Sequence, residues 1–157
     1  MALAQELTEQ PRMANHARGL WGYHGVSSDG RELTVQATGI GGHSAVAVLA
    51  DLAELGVRRA LRVGACVGGP GTAAGEVLTF QSGEAGRVGV LPALPRVPRP
   101  DGHVAWDTQT SDLLAAATGL GIELEAALVV AETGDGVLPA DALLTACATA
   151  AQAFLNP

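Results

Sequence analysis

Four side chains that could take part in chemistry lie beside glycine-rich segments of this sequence. Arg62 lies where an apolar run gives way to glycines, so its guanidinium and the nearby N–H groups could hold an anion. His43 follows the glycine turn 39–42, where an imidazole is the best candidate for a general acid or base. Glu132 and Asp135 flank the end of a second apolar run, where carboxylates could contact a polar ligand. Together they indicate a small-molecule site with an anion-binding part.

Each of these residues also has a purely structural interpretation, and the sequence leaves both open. For His43 a solvated turn residue is the favoured structural interpretation, and for Glu132 and Asp135 it is an exposed acidic turn. No pair of the four histidines has the spacing of a metal site, so neither a metal nor an organic cofactor is expected. Cys66 and Cys147 are predicted to be reduced, buried thiols.

The elements that must position these residues alternate between apolar strands and helices. A strand ending near Ala37 leads into the glycine turn and then into a helix, with Ser44 placed to cap it and Gly56 to end it. A second strand, about residues 60–63, carries Arg62 and opens into another glycine-rich loop. This order predicts a βαβ unit whose ligand site lies at the carboxyl ends of both strands.

The flanking segments extend the same alternation. Residues 1 to about 12 are interpreted as a short helix or a loose leader, and Ser28-Asp29-Gly30 is a hairpin turn signal. The remaining pattern predicts strands at 32–37, 75–80, 87–91 and 123–131, a helix from Asp107 or Thr108 to about Thr118, and a last helix over 140–155. The prediction is a single α/β domain over residues 1–157, with a mainly parallel sheet flanked by helices.

A proline-rich stretch interrupts this pattern between two of the strands. Prolines at 92, 95, 98 and 100 are incompatible with a helix or a central strand. The stretch is predicted to be a surface loop, and a proline-motif ligand for another domain is the alternative.

Composition excludes several classes of partner. The net charge is −7, every basic residue is arginine, and the arginines form no cluster, so no nucleic-acid partner is expected. No apolar run approaches the roughly 20 residues of a membrane span, and the first residues lack a signal-peptide core. The protein is expected to be cytoplasmic, to bind a small-molecule ligand and to have no membrane partner.

Three ordered motifs resemble the nucleoside phosphorylase/nucleosidase superfamily, which includes uridine phosphorylase and hexameric purine nucleoside phosphorylase. They are T-G-I-G-G-H-S at 38–44, E-L-G at 54–56 and L-R-V-G-A-C-V-G at 61–68. An upstream segment, N-H-A-R-G-L-W-G-Y-H-G at 15–25, is similar to a further family segment. The resemblance covers residues 15–139 and implies a trimmed version of that α/β fold.

The resemblance also implies roles for particular residues. Arg62 matches the principal phosphate arginine, and Arg18 matches an arginine that reaches a neighbouring subunit's phosphate site. A homo-oligomer, at least a dimer, is therefore expected, with the Ala/Leu face of helix 140–155 as its likeliest contact surface. Phosphate is the implied co-substrate, with Gly41 and Gly64 beside it. The implied substrate contacts are Thr38, Gly42, Ala65, Cys66 and Val137.

Several family features are replaced or lacking. Ala65 replaces the family's phosphate-binding Ser/Thr, and Val67 replaces a family glycine. His43 replaces a proline, and Val137 replaces an aromatic residue that packs on the base in the family. The x-E-M-E glutamates that hold the ribose hydroxyls, the G-D-P-x-R phosphate loop and the base-side Asp/Asn have no counterpart in the sequence. Ordinary phosphorolysis of uridine, inosine or adenosine is thus expected to be very weak or absent.

Three functions remain open on the sequence. The first is an enzyme acting on nucleoside-like substrates, with neighbouring subunits completing the site. The second is a metabolite-tailoring enzyme in which His43, Glu132 or Asp135 serves as acid or base. The third is a non-catalytic binding or assembly protein.

Overall fold

The computed structural model of the protein describes residues 2–91 and 102–155. The predicted proline-rich loop lies outside this range. The helices are α1 (Ala2–Leu7), α2 (Gly42–Glu54), α3 (Thr110–Ala117) and α4 (Ala140–Leu155). The strands are β1 (Glu9–Asn15), β2 (Gly22–Val26), β3 (Glu32–Gln36), β4 (Arg59–Gly68), β5 (Val77–Gln81), β6 (Val88–Val90), β7 (Ala105–Asp107), β8 (Glu123–Thr133) and β9 (Gly136–Val137).

The first three strands form a small antiparallel sheet in the order β1–β2–β3. The hairpin turn predicted at Ser28-Asp29-Gly30 is confirmed, because the Ser27 N–H donates to the Arg31 carbonyl across it at 2.9 Å. The Asp29 carboxylate accepts from the Arg31 Nε at 2.6 Å, which holds the pKa of Asp29 well below its usual range. The turn is therefore fixed by its own side chains.

The other strands form a mixed sheet in the order β5–β8–β4–β7–β6, with β9 paired to β8. The β4–β8 and β6–β7 pairs are parallel, whereas β4–β7, β5–β8 and β8–β9 are antiparallel. The fold is mixed α/β. The predicted βαβ unit is wrong in one respect, because β3 and β4 lie in different sheets. The short hairpin gives β3 a local partner in β2, while β4 takes β8 as its partner.

The strand β4 is longer than the sequence indicates. It pairs with β8 from Arg59 to Val67, so the stretch predicted to be a glycine-rich loop is strand. Arg62 consequently lies inside β4, and its predicted place at a carboxyl end is wrong. An eleven-residue partner strand supplies hydrogen bonds along this stretch, and these outweigh the turn preference of its glycines.

The ends of α2 follow the sequence prediction at one terminus only. Gly56 ends the helix as expected: its φ is +95°, and Val57 N–H bonds the Leu52 carbonyl at 3.0 Å. Ser44 does not cap the start, because it lies in the first turn and its hydroxyl donates to the Thr38 carbonyl at 2.8 Å. Gly41 is the N-cap residue and makes no side-chain cap.

The main core lies between one face of the large sheet and the helices α2 and α3. Alternate residues of β8 point into it and are almost fully buried: Leu124, Ala126, Leu128 and Val130. Helix α4 contacts β4 and β8 and buries Ala148 and Ala151. No helix within residues 2–91 and 102–155 is long and apolar enough to cross a membrane.

Candidate ligand-binding site

A cavity of about 450 Å³ lies between the two sheets. Residues 32–36 of β3 and 59–63 of β4 line it, together with side chains of α1, α2 and α4. Consecutive residues of a strand point to opposite faces, so lining by every residue of both segments means that the strands present their edges to the cavity. The volume lies within the range of about 300–1,000 Å³ that is usual for small-molecule sites.

Both strand edges that border the cavity lack a neighbouring strand in the described parts of the chain. β3 pairs only with β2, and β4 over residues 59–66 pairs only with β8. β7 pairs with the edge of β4 that faces away from β8, but only at Val67 and Gly68. Backbone groups on these edges that no strand pairs are therefore available to a ligand, apart from the Val63 carbonyl, which accepts from Arg62. Sequence reasoning missed this feature, because it assigned the two strands to one sheet.

Arg62 lines the cavity, but its guanidinium already has partners. Its Nη2 forms an ion pair with the Asp107 carboxylate at 3.2 Å, and its Nη1 donates to the Val63 carbonyl. The Arg62 side chain is 15% exposed and that of Asp107 only 4%. The Arg62 Nε is buried and has no hydrogen-bond partner among the described residues.

Asp107 connects Arg62 to the start of α3. One carboxylate oxygen accepts from the backbone N–H groups of Gln109 at 3.1 Å and Thr110 at 2.8 Å. The other accepts from the Thr110 hydroxyl at 2.6 Å and from Arg62. The predicted cap at Asp107 or Thr108 is one or two residues early, because Gln109 is the N-cap of α3 and Asp107 ends β7. The Asp107 carboxylate still binds the N–H groups at this helix start. The sequence did not indicate its contact with Arg62.

The glycine at position 64 leaves room for this arrangement. A Cβ at Gly64 would overlap the Arg62 guanidinium, which folds back along β4 over that residue. The Arg62 guanidinium can therefore take this position because Gly64 has no side chain.

Thr38 extends this polar cluster to the glycine turn. Its hydroxyl donates to the Gln109 side-chain oxygen at 3.0 Å, and Gln109 is buried. Thr38 also lines the cavity, as Arg62 does. The structure thus brings together Thr38 and Arg62, and adds Gln109 and Asp107 to them. The polar run at 107–110 is a visible signal for a helix start, but it carries no information about a partner on β4.

Other polar residues of the cavity received no role from the sequence, among them His24, Thr34, Glu32 and Arg59. The His24 ring hydrogen-bonds the Thr34 hydroxyl at 3.1 Å across β2 and β3, and both residues line the cavity. Glu32 is the one carboxylate among the described lining residues. The Arg59 guanidinium lies over the Phe154 ring, 4.3 Å from its centroid, and both of these line the cavity as well.

The predicted acid/base residues lie elsewhere. His43 is exposed on the first turn of α2, and Glu132 and Asp135 are exposed around the β8–β9 turn. Val137 is 73% exposed in β9. None of the four lines the cavity, so the structure does not group them with Arg62 and Thr38.

The remaining predicted contacts also lie outside the cavity lining. Arg18 is exposed in a short 3₁₀ turn, at a φ of +56°. Gly41 and Gly42 lie at the start of α2, and Ala65 is exposed on β4. In residues 2–91 and 102–155 no group of three His, Cys, Asp or Glu side chains is placed to hold a metal ion.

The two thiols are poorly suited to nucleophilic chemistry. The pKa of Cys66 is raised to about 12, mainly by burial and in smaller part by the Asp107 charge, and Arg62 opposes the shift. Burial also raises the pKa of Cys147, again opposed by Arg62. Both are free cysteines; Cys66 is buried, as predicted, and Cys147 is half-buried. A thiolate is the reactive form, so both are expected to be inert.

Comparison with protein-family models and with curated proteins finds no match to this chain. The resemblance to nucleoside phosphorylases therefore stands on the sequence motifs.

Proposed function

We propose that the protein is a nucleoside phosphorylase-like protein that binds a nucleoside-like or other small polar metabolite in the cavity between β3 and β4. The observation that carries this proposal is the cavity itself, because Thr38 and Arg62 line it and both belong to the family-like motifs. A trimmed nucleoside phosphorylase-like fold is part of the proposal, and the parallel β4–β8 pair supports it.

The cavity walls suit a planar, partly apolar ligand. Leu33, Val35, Leu61 and Val63 supply apolar surface, and the two strand edges supply hydrogen-bonding groups. Such a combination of apolar walls and a few placed polar groups is usual for small-molecule sites. A nucleobase carries both an apolar face and polar edges, which matches this lining.

Ordinary phosphorolysis is expected to be weak in this site. The reaction needs cationic groups free to hold phosphate, and a carboxylate that grips the ribose as positive charge develops. The charge of Arg62 is compensated by Asp107, and Ala65 offers no hydroxyl. Glu32 is the candidate ribose contact, and His24 is the candidate acid or base within the cavity.

A pair of leucine substitutions tests whether the ligand binds in this cavity. Leu61→Trp should fill the cavity from β4, whereas Leu55→Trp changes an 81% exposed leucine outside it. Thermal shift and calorimetry with uridine, inosine, adenosine and the free bases should show binding to the wild type and to Leu55→Trp. Binding should be lost in Leu61→Trp. The proposal fails if no member of the panel binds, or if folded Leu61→Trp binds as the wild type does.

A second candidate, an assembly role, is favoured by exposed apolar groups on the small sheet. Met13 and Trp21 are about half exposed, at 51% and 50%. The face of α4 predicted to form the subunit contact instead buries Ala148 and Ala151 against the chain itself. We therefore propose that Met13, in β1, and Trp21, just before β2, contribute to the contact between copies. Light scattering should show a dimer that Trp21→Ser dissociates, and a wild-type monomer would contradict this.

A further inference from the structure

Both terminal nitrogens of Arg62 already make contacts within the chain. Its Nη2 contacts Asp107, its Nη1 contacts the Val63 carbonyl, and its Nε is buried. Strong phosphate binding by arginine usually takes two parallel N–H groups of one guanidinium. A parallel pair of bonds from Nη1 and Nη2 would compete with their contacts to Val63 and Asp107, and the unpartnered Nε is buried.

Asp107 is held in place more firmly than Arg62. Its two carboxylate oxygens accept from four donors, three of which belong to Gln109 and Thr110 at the start of α3. Rotation away from Arg62 would uncap the helix and leave those buried donors without a partner. An anion bound at Arg62 would therefore have to share the guanidinium with a fixed, buried negative charge, and repulsion is weakly screened in such surroundings.

The other charges around the cavity do not restore an anion site. Arg59 and Glu32 are the remaining charged residues that line it, and both are exposed. When Asp107 is included, the two arginines are balanced by two carboxylates. Wherever an anion sits in the cavity, it meets no net positive surplus from these groups.

We propose that Asp107 is a specificity-determining residue that makes this cavity select uncharged ligands. The site takes a neutral nucleoside or a free base and discriminates against inorganic phosphate and nucleoside monophosphates. Asp107 acts by compensating Arg62, without itself lining the cavity. The inference rests on the proposed function, since it names the charge class of the ligand for the same cavity.

The wild-type protein provides the first test. Calorimetry should compare uridine, inosine and adenosine with their 5′-monophosphates and with inorganic phosphate. The monophosphates and phosphate should bind about tenfold more weakly than the nucleosides, or worse. Equal or tighter binding of the anions would overturn the role of Asp107 while leaving the cavity proposal intact. If no nucleoside binds, both proposals fall.

The variant Asp107→Asn provides the second test. The amide keeps the shape and one acceptor oxygen for the α3 N–H groups but leaves the Arg62 charge uncompensated. Phosphate affinity should rise about tenfold or more relative to the wild type, while nucleoside affinity stays within a factor of about three. Asp112→Asn, in the first turn of α3, is the matched control and should leave both affinities unchanged.

A purely structural role of Asp107 would weaken the binding of all ligands together. It would not change the ratio of phosphate to nucleoside affinity, and an unchanged ratio in folded Asp107→Asn overturns the proposal. The wild-type comparison decides the question if that variant does not fold.

Discussion

The two sheets of this protein differ sharply in how much of their surface is buried. In β8, residues 126–130 are at most 4% exposed, and this strand lies between β5 and β4. In β1, six of the seven residues are exposed. β2 and β3 also have exposed residues. The large sheet therefore carries the stability of the fold, and the small sheet mainly forms one wall of the cavity.

This difference shows why the cavity lies where it does. The β4 side of the cavity is fixed by pairing with β8, whereas the β3 side is fixed by a hairpin with little packing behind it. Any adjustment of the cavity to a ligand is therefore expected on the β3 side. Segments with few buried apolar contacts open at lower free energy than the core does.

The largest expected effect is a truncation in the buried sheet. Leu128→Ala removes a fully buried side chain from β8, and the free energy of unfolding should fall by about 3–5 kcal/mol. Leu33→Ala is the matched change in β3, where the leucine is only half-buried, and should cost about 1 kcal/mol. Urea unfolding followed by circular dichroism measures both, and equal losses would remove the distinction between the sheets.

A methyl group at position 64 should have an intermediate effect. In Gly64→Ala the new Cβ displaces the Arg62 guanidinium from its place beside Asp107, and we expect a loss of about 1–3 kcal/mol. Nucleoside affinity should fall as well, because Arg62 lines the cavity. Gly86→Ala is the control, since no atom lies within 4 Å of its added Cβ. Similar stabilities for the two variants would show that Arg62 moves aside freely.

The pH dependence of stability should report the burial of Cys66. The unfolded chain ionises this thiol near its ordinary pKa of 9.0, whereas the folded chain keeps it neutral until about 12. Between those values unfolding releases a proton, so the free energy of unfolding should fall by about 1 kcal/mol per pH unit above pH 9. Below pH 9 this contribution is constant.

Cys66→Ala is the variant that isolates this dependence. Its unfolding free energy should decline less steeply above pH 9 than that of the wild type, whatever its absolute stability. Parallel pH profiles for the two proteins would show that another group is responsible.

The smallest expected effect on stability concerns Arg18, which lies between β1 and β2. Arg18 adopts a φ of +56°, which is unfavourable for a residue with a Cβ, so Arg18→Gly should raise stability by up to about 1 kcal/mol. Arg12→Gly, within β1, should instead lower it by about 0.5–1 kcal/mol. Thermal unfolding of the pair measures the difference. A loss in Arg18→Gly would indicate that the Arg18 side chain makes a stabilising contact.

Features that depend on neighbours in the sequence were predictable. The hairpin turn at 28–30, the end of α2 at Gly56 and the extent of α4 each follow from local propensity, and the structure agrees with them. The contacts of Asp107 at the start of α3 belong to the same class, because they reach N–H groups two and three residues later, although the N-cap itself is Gln109.

Features that depend on distant partners were not predictable. The glycines after Arg62 indicate a loop, and only the pairing of β4 with β8 turns them into strand. Likewise, Arg62 resembles a free anion-binding residue until Asp107 is placed beside it. Assigning β3 and β4 to one sheet was reasonable from the strand–helix–strand order. The competing hairpin with β2 decided otherwise.

The central position of β8 in the large sheet has a consequence for how the chain folds. Both β4 and β5 take β8 as a partner, yet β8 is the last long strand of the sequence. The hairpin of β2 and β3 joins near neighbours and can close early, whereas the β4–β8 pairing must bring together distant parts of the chain. On a ribosome, the large sheet cannot assemble before residue 133 has emerged. Until then the edges of β4 and β5 lack their partner strand, and unpaired strand edges are prone to aggregation.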